Sequence, residues 1–172
     1  MSLSIFSDDY FMREALKEAQ YAYEKDEVPV GAVVVANQRI IARAHNLTEL
    51  LNDVTAHAEM QAITASANYL GGKYLDECTL YVTLEPCSHH GRTPPCTDLI
   101  LKHGIKKVVI GSLDPNPLVS GVELLRSKGV EVELNITKEI EELNRVFFVN
   151  QRERRPYFQF KLAVTSNGVY GH

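Results

Sequence analysis

The second half of the chain, from about residue 78, alternates short β-branched segments with short amphipathic ones, and this alternation constrains the fold more than any other feature. Three segments read as strands, CTLYVTL, KKVVIG and VEVEL, and two intervening segments read as helices, CTDLILKHG and VELLRSKG. Parallel strands need crossover connections, which helices commonly supply. The pattern therefore predicts an α/β fold in which a largely parallel sheet carries helices on both faces.

The first half predicts a helix, a hairpin and a second helix. Apolar side chains recur on one helical face over residues 8–25. The runs VPVGAVVVA and RIIARAH flank a two-residue turn, which is typical of an antiparallel hairpin. Thr55 can cap a following helix over residues 56–69. One more helix is expected over residues 138–150, near the C-terminal end of the sequence.

Size, charge and cysteine content narrow the class of protein. A chain of 172 residues fits a single domain with its own core. No apolar run approaches the roughly 18 residues needed to span a bilayer, and the start of the sequence does not look like a secretion signal. The three cysteines cannot all pair within one chain, and the net charge of −4 gives no electrostatic footprint of nucleic-acid binding. We expect a soluble cytoplasmic protein with reduced thiols and no membrane partner.

Four polar residues at the ends of predicted elements form a metal-site pattern. His57 and Glu59 fall in the first turn of the second helix, Cys87 follows the third strand, and Cys96 opens the next helix. Two thiolates and one imidazole suit Zn²⁺, and a three-ligand site leaves the fourth position to water, as catalytic sites require. Glu59 is two residues from His57, so its carboxylate points elsewhere and can move protons for that water. Cys78 has no such partner motif and is expected only to pack in the core.

The strings HAE and EPC, which contain these residues, resemble the zinc-dependent cytidine-deaminase superfamily. The resemblance implies a three-layer fold with a five-stranded mixed sheet between helices, a bound Zn²⁺ and hydrolytic deamination with Glu59 as the proton shuttle. In the superfamily signature two residues separate the two cysteines, whereas eight residues, SHHGRTPP, separate Cys87 from Cys96 here.

Different parts of the chain resemble two different families within that superfamily. Residues 1–87 resemble bacterial tRNA adenosine deaminase, which implies that Asn46 contacts the base. From about residue 80 onward the strings TLEPCSHHGRTPPC, DPNP and RPYFQFKLAVTSNG resemble the deaminase domain of the bifunctional riboflavin-biosynthesis deaminase/reductase. This second resemblance implies substrate contacts in the loop after Cys87 and in DPNP, at His89, His90, Arg92, Thr93, Asp114 and Asn116. DPNP can also be read simply as a proline-rich turn.

These patterns favour one function and leave two others open. The expected reaction is deamination of a pyrimidine nucleotide, the diaminopyrimidine ribosylamino phosphate of riboflavin biosynthesis. The alternatives are deamination of adenosine in a tRNA anticodon loop and a non-catalytic zinc-stabilised binding module. Residues 1–155 are expected to form the deaminase domain, and residues 156–172 an extended segment that resembles the opening strand of the reductase domain. A homodimer is also expected, because an exposed strand edge invites pairing.

Overall fold

The computed structural model describes residues 6–91, 93–161 and 163, and these residues contain five strands and six helices. In chain order the elements are α1 (Asp8–Tyr23), β1 (Gly31–Ala36), β2 (Arg39–His45), α2 (Ala58–Leu70), β3 (Cys78–Val82), α3 (Cys96–Lys102), β4 (Lys107–Ile110), α4 (Gly121–Ser127), β5 (Glu131–Leu134), α5 (Lys138–Leu143) and α6 (Arg145–Glu153).

The strands form one mixed sheet in the order β2-β1-β3-β4-β5. Strand β1 is antiparallel to both of its neighbours, whereas β3, β4 and β5 are mutually parallel. The hairpin and the five-stranded mixed sheet are therefore confirmed. Only half of the neighbouring pairs are parallel, because β1 runs the other way between β2 and β3. As a consequence, β2, β3 and β4 all end at the edge of the sheet where β1 begins.

Helices cover both faces of the sheet, as predicted. Along β1, Ala32 and Val34 pack in a core cluster with apolar side chains of α2, α3 and α4. The alternate residues Val33 and Val35 pack on the opposite face with apolar side chains of α1 and α5. This period-two alternation places one core on each side of the sheet and produces the three-layer α/β architecture. Cys78 lies in the first of these clusters, as expected for a packing residue.

Gly31 allows α1 to lie directly on the start of β1. A Cβ atom at this position would lie 2.1 Å from the carbonyl oxygen of Ala15 and 2.3 Å from the backbone nitrogen of Ala19. No side chain can occupy that space. The backbone N–H of Gly31 donates a hydrogen bond to the hydroxyl of Thr83, at 3.0 Å, just beyond β3. The beginning of β1 and the end of β3 are thereby fixed together at one edge of the sheet.

The cap of α2 differs from the prediction. The helix begins at Ala58 with His57 as its N-cap residue, and the hydroxyl of Thr55 instead donates to Oδ1 of Asp53 at 2.7 Å. The backbone N–H of Ala58 donates to Oδ1 of Asn46 at 3.0 Å. A side chain at the end of β2 thus supplies the acceptor that Thr55 was predicted to provide. The predicted Thr55 cap is wrong because local sequence does not show which distant side chain reaches a helix end.

The single helix predicted over residues 138–150 is two helices that meet at Asn144. The side chain of Asn144 is fully buried, and its amide nitrogen donates to the carbonyl oxygens of Pro29 at 3.1 Å and Ile140 at 3.2 Å. Asparagine side chains compete with the helical backbone for hydrogen bonds. The break therefore attaches the start of α6 to the segment that leads into β1.

Beyond α6 the described chain has no further regular element. Residues 154–161 form neither a helix nor a strand, and the side chains of Phe158 and Phe160 are 70% and 83% exposed. Leu162 and residues 164–172, which complete the predicted extended segment, lie outside the described residues. Among the helices that the structure describes, none combines the length and the apolar character needed to cross a membrane.

Candidate zinc centre and active site

The edge of the sheet where β2, β3 and β4 end carries the polar residues singled out in the sequence. Asn46 directly follows β2, Glu85 and Cys87 follow β3, and Asp114 follows β4. In open α/β sheets, ligands bind in the crevice beyond the carboxyl ends of the strands. This edge is therefore the place where the fold provides a binding site.

Three side chains converge there on a space suited to a metal ion. The ligand atoms of His57, Cys87 and Cys96 all lie within 4.8 Å of one another. Nδ1 of His57 is 3.4 Å from Sγ of Cys96, and the backbone N–H of Cys96 donates to Sγ of Cys87 at 3.2 Å. One imidazole and two cysteines form a donor set that fits Zn²⁺ and leaves a fourth position for water. The predicted ligand set is brought together by the start of α2, the loop after β3 and the start of α3.

The two cysteines share one hydrogen-bonded system. The hydrogen bond from the Cys96 thiol lowers the pKa of the Cys87 thiol to about 4. The same contact, together with burial, raises the pKa of Cys96. The hydrogen bond with Cys87 raises the pKa of His57. Because metals bind the thiolate, Cys87 offers a ready ligand and Cys96 releases its proton when a metal binds.

Glu59 lies beside these ligands in the first turn of α2. Its side chain is only 4% exposed, and burial raises its pKa from 4.5 to about 7. A carboxyl group that titrates near neutral pH can both accept and return a proton there. A buried carboxyl group therefore lies beside the three candidate ligands without belonging to that set.

A cavity of about 200 Å³ opens onto this centre. Its size is below the roughly 300 Å³ at which pockets for drug-sized ligands begin, so it suits a small ring. Its walls combine apolar and polar side chains, from Val28, Val30, Asn46, Thr48, His57, Glu59, Leu84, Glu85, Cys87, Asp114 and Phe147.

Among the predicted substrate contacts, Asn46 and Asp114 line this cavity. The exposed His90 lies on the adjoining loop, with Nε2 at 3.4 Å from Oδ2 of Asp98. Oδ1 of Asn116 accepts a hydrogen bond from the backbone of its own turn, at Leu118.

His89 is exposed and Thr93 is half-buried, both on the same loop. Arg92 lies outside the described residues. The roles of these loop residues in substrate binding therefore stay predictions.

Glu85 is a site residue that sequence reasoning missed. Its two carboxylate oxygens accept hydrogen bonds from the backbone N–H groups of Asp114, at 3.2 Å, and Val122, at 2.9 Å. Nearby, the backbone N–H of Ser120 donates to the hydroxyl of Ser88 at 2.8 Å. These bonds fasten the DPNP loop to the turn that carries Cys87. The signal in the sequence was the glutamate immediately before the Pro86-Cys87 pair.

Phe147 was missed as well. It comes from α6, far along the chain from the metal ligands, yet its half-buried ring forms part of the cavity wall. Nothing in the local pattern of residues 138–150 distinguishes it from an ordinary core position.

Comparison with known proteins agrees with this geometry. Residues 6–112 match the family model for the zinc-binding region of cytidine and deoxycytidylate deaminases. The riboflavin biosynthesis protein RibD of Aquifex aeolicus is 42% identical over 166 residues, which are 94% of this chain and 44% of that protein. The chain spans less than half the length of the RibD relatives it matches.

Two other relatives match a larger share of their own length. The diaminohydroxyphosphoribosylamino-pyrimidine deaminase of Buchnera aphidicola is 38% identical over 154 residues, 87% of this chain and 99% of that protein. The tRNA-specific adenosine deaminase of Bacillus subtilis is 48% identical over 114 residues, 66% of this chain and 67% of that protein.

A solved structure has a similar fold. The deaminase/reductase of Thermotoga maritima superposes with a TM-score of 0.82 at 40% identity, over 94% of this chain and 46% of that one. The residues matched by the family model include His57, Cys87 and Cys96. The chain therefore belongs to the cytidine and deoxycytidylate deaminase family.

Proposed function

We propose that this protein is a zinc-dependent hydrolytic deaminase that acts on the diaminopyrimidine ribosylamino phosphate of riboflavin biosynthesis. The observation that carries the chemistry is the convergence of His57, Cys87 and Cys96 beside the buried carboxyl group of Glu59. The choice of substrate is supported by similarity to RibD proteins along 94% of the chain and to the Buchnera deaminase along 99% of that protein.

His57, Cys87 and Cys96 would hold the zinc ion, which when bound supplies a Lewis acid that acidifies water at neutral pH. Glu59 would accept a proton from the attacking water and deliver it to a ring nitrogen of the substrate. It would then transfer the second proton to the departing amine. Water oxygen bonds to the amino-bearing ring carbon, the carbon–nitrogen bond breaks, and ammonia leaves behind a ring carbonyl.

The remaining residues of the edge would orient the substrate. Asn46 and Asp114 present polar groups to the cavity. Burial raises the pKa of Asp114, while the hydrogen bond from the backbone N–H of Asn116 opposes that effect. The bond from the backbone N–H of Ser120 to the Ser88 hydroxyl, at 2.8 Å, joins the loop after Cys87 to the segment that follows Asp114 and supports a role of that loop at the cavity mouth. His89, His90, Arg92 and Thr93 would bind the ribose phosphate there, since cationic and hydroxyl side chains suit phosphate. Asn116 would hold the turn that presents Asp114.

Deamination of adenosine in a tRNA anticodon loop is the second candidate. It is favoured by the 48% identity to the Bacillus subtilis enzyme and by the position of Asn46 in the cavity. It is disfavoured by the net charge of −4, because RNA binding draws on cationic contacts to phosphates. The third candidate, a non-catalytic zinc module, gives no role to a buried glutamate beside three metal ligands.

Ammonia release separates these candidates. The zinc-loaded protein is incubated with the diaminopyrimidine ribosylamino phosphate and, separately, with an adenosine-bearing anticodon stem-loop. Release from the pyrimidine alone supports the proposal, release from the RNA alone supports the second candidate, and release from neither supports the third. Glu59→Gln is the matched control: it should abolish release while bound zinc stays at the wild-type stoichiometry.

The proposal also includes the oligomeric state of the protein, its cellular location and the bounds of its catalytic domain. We infer a cytoplasmic homodimer with no membrane partner, in which residues 1–155 form the deaminase domain. The three free cysteines and the exposed Phe158 and Phe160 support this view, because reduced thiols fit the cytosol and exposed aromatic rings favour association. A strictly monomeric mass in solution scattering would contradict the dimer.

A further inference from the structure

The metal cavity and a second cavity share a wall. The second cavity has a volume of about 460 Å³ and lies between the end of α1, the segment before β1 and the α5–α6 pair. Val28 and Phe147 line both spaces. Phe147 therefore stands between a small cavity that contains Glu59 and a larger one that contains no metal ligand.

The position of this wall is fixed by buried contacts. Asn144 is completely buried and donates to the carbonyl oxygen of Pro29, beside Val28. The ring of Phe147 also lies against that of Phe148, with centroids 6.0 Å apart, and Phe148 is only 5% exposed. The start of α6 is thus held to the segment before β1, and Phe147 is held with it.

The second cavity is suited to a neutral ring and poorly suited to a phosphate. The acidic residues Asp26 and Glu27 are among those that line it. The carboxylate of Glu27 already accepts hydrogen bonds from the Thr48 hydroxyl and from the backbone N–H groups of Glu49 and Leu50. A phosphate placed there would meet negative charge, so this side of the site faces the base of a nucleotide rather than its phosphate.

We propose that Phe147 is a substrate-binding residue that stacks on the face of the base. The inference rests on the proposed deaminase function and adds how the site holds the base. An aromatic wall suits the flat face of a heterocycle, and such stacking is worth roughly five- to a hundredfold in binding when removed by alanine substitution.

The first test compares Phe147→Ala with Val146→Ala in the zinc-loaded protein. Val146 is on the same helix and lines only the second cavity. Phe147→Ala should raise the KM for the diaminopyrimidine ribosylamino phosphate about tenfold or more, with a smaller change in kcat. Phe147→Tyr should behave like the wild type, and Val146→Ala should change neither quantity.

A second test does not depend on turnover. The chain has no tryptophan, so Phe147→Trp introduces a single fluorescent reporter. Stacking of a base on this wall should quench its emission on titration with the pyrimidine nucleotide product or with the anticodon stem-loop, whichever the site binds. Val146→Trp should not be quenched.

The two tests also separate failure of this inference from failure of the proposed function. An active wild type whose KM is unchanged in Phe147→Ala overturns the role of Phe147. Absence of quenching in Phe147→Trp by a ligand that the same variant binds overturns it too. A wild type that releases no ammonia from the pyrimidine nucleotide overturns the proposed substrate, while quenching by the stem-loop would still support an aromatic wall at Phe147.

Discussion

Oδ1 of Asn46 accepts a hydrogen bond from the backbone N–H of Ala58 at 3.0 Å, and this bond joins the end of β2 to the start of α2. Ala58 lies between His57 and Glu59, the predicted metal ligand and the predicted proton-transfer residue. Asn46 also lines the cavity beside them. The residue predicted as a substrate contact therefore also holds the helix end that carries these two side chains.

Replacement of Asn46 by alanine should affect both stability and turnover. Loss of an acceptor at a helix N-terminus costs about 1 kcal/mol in the free energy of unfolding, and kcat/KM should fall as well because the amide also leaves the cavity. Urea unfolding and ammonia release measure the two effects. Asn68→Ala on the exposed face of α2 should change neither. Unchanged stability of Asn46→Ala would contradict the capping role.

The three cysteines provide an internal comparison for metal binding. Cys87→Ala and Cys96→Ala should each lose most of the bound zinc, because a site with two remaining ligands binds the ion weakly. Cys78→Ala should keep one zinc per chain, since Cys78 packs in the core. Zinc content by elemental analysis checks this outcome.

Removal of zinc from the wild type with a chelator should also lower the melting temperature, because the ion stabilises only the folded state. Zinc retained by Cys87→Ala would contradict the assigned ligand set.

Glu85 links the cysteine turn to the DPNP loop, so its replacement should act through Asp114. In Glu85→Gln one of the two backbone donors faces an amide NH₂ group instead of an oxygen, which costs about 1–3 kcal/mol when the donor is buried. We expect a higher KM with zinc retained. The effects of Glu85→Gln and Asp114→Asn on kcat/KM should be non-additive, because both act on the same loop. Additive effects would contradict this coupling. Glu123→Gln, in the exposed first turn of α4, is the control.

Sequence alone predicted three residues that the structure brings together, and it missed much of the cavity wall. His57, Cys87 and Cys96 are residue types that bind metals and stand at or near element ends, so their types and positions predict one site. Phe147 is an ordinary apolar residue, and only long-range packing of α6 brings it to the cavity. Asn144 shows the same limit, because its break in the helix depends on the carbonyl group of Pro29.

The ion pairs of Glu14 should make stability depend on pH in a defined direction. Its carboxylate lies 2.5 Å from Nζ of Lys17 and 2.6 Å from the guanidinium of Arg43, and so ties α1 to the edge strand β2. The pKa of Glu14 lies below its ordinary value of 4.5. The hydrogen bond from Lys17 lowers it most, and the hydrogen bond from Arg43 lowers it further. An acid with a lowered folded-state pKa stabilises the protein above its unfolded pKa, and this contribution is lost as pH falls through the folded value.

Glu14→Gln should therefore reduce the free energy of unfolding by about 0.5–1 kcal/mol at pH 7 and low salt, since both cations are partly exposed. The difference from the wild type should shrink as the pH falls below about 4.5, and added salt should also reduce it because salt screens exposed charges. Urea unfolding across this pH range measures the difference. The exposed Glu24 near the end of α1 provides the control, and Glu24→Gln should give no comparable pH-dependent loss. A difference for Glu14→Gln that stayed constant from pH 7 to pH 3 would show that packing, rather than charge, accounts for it.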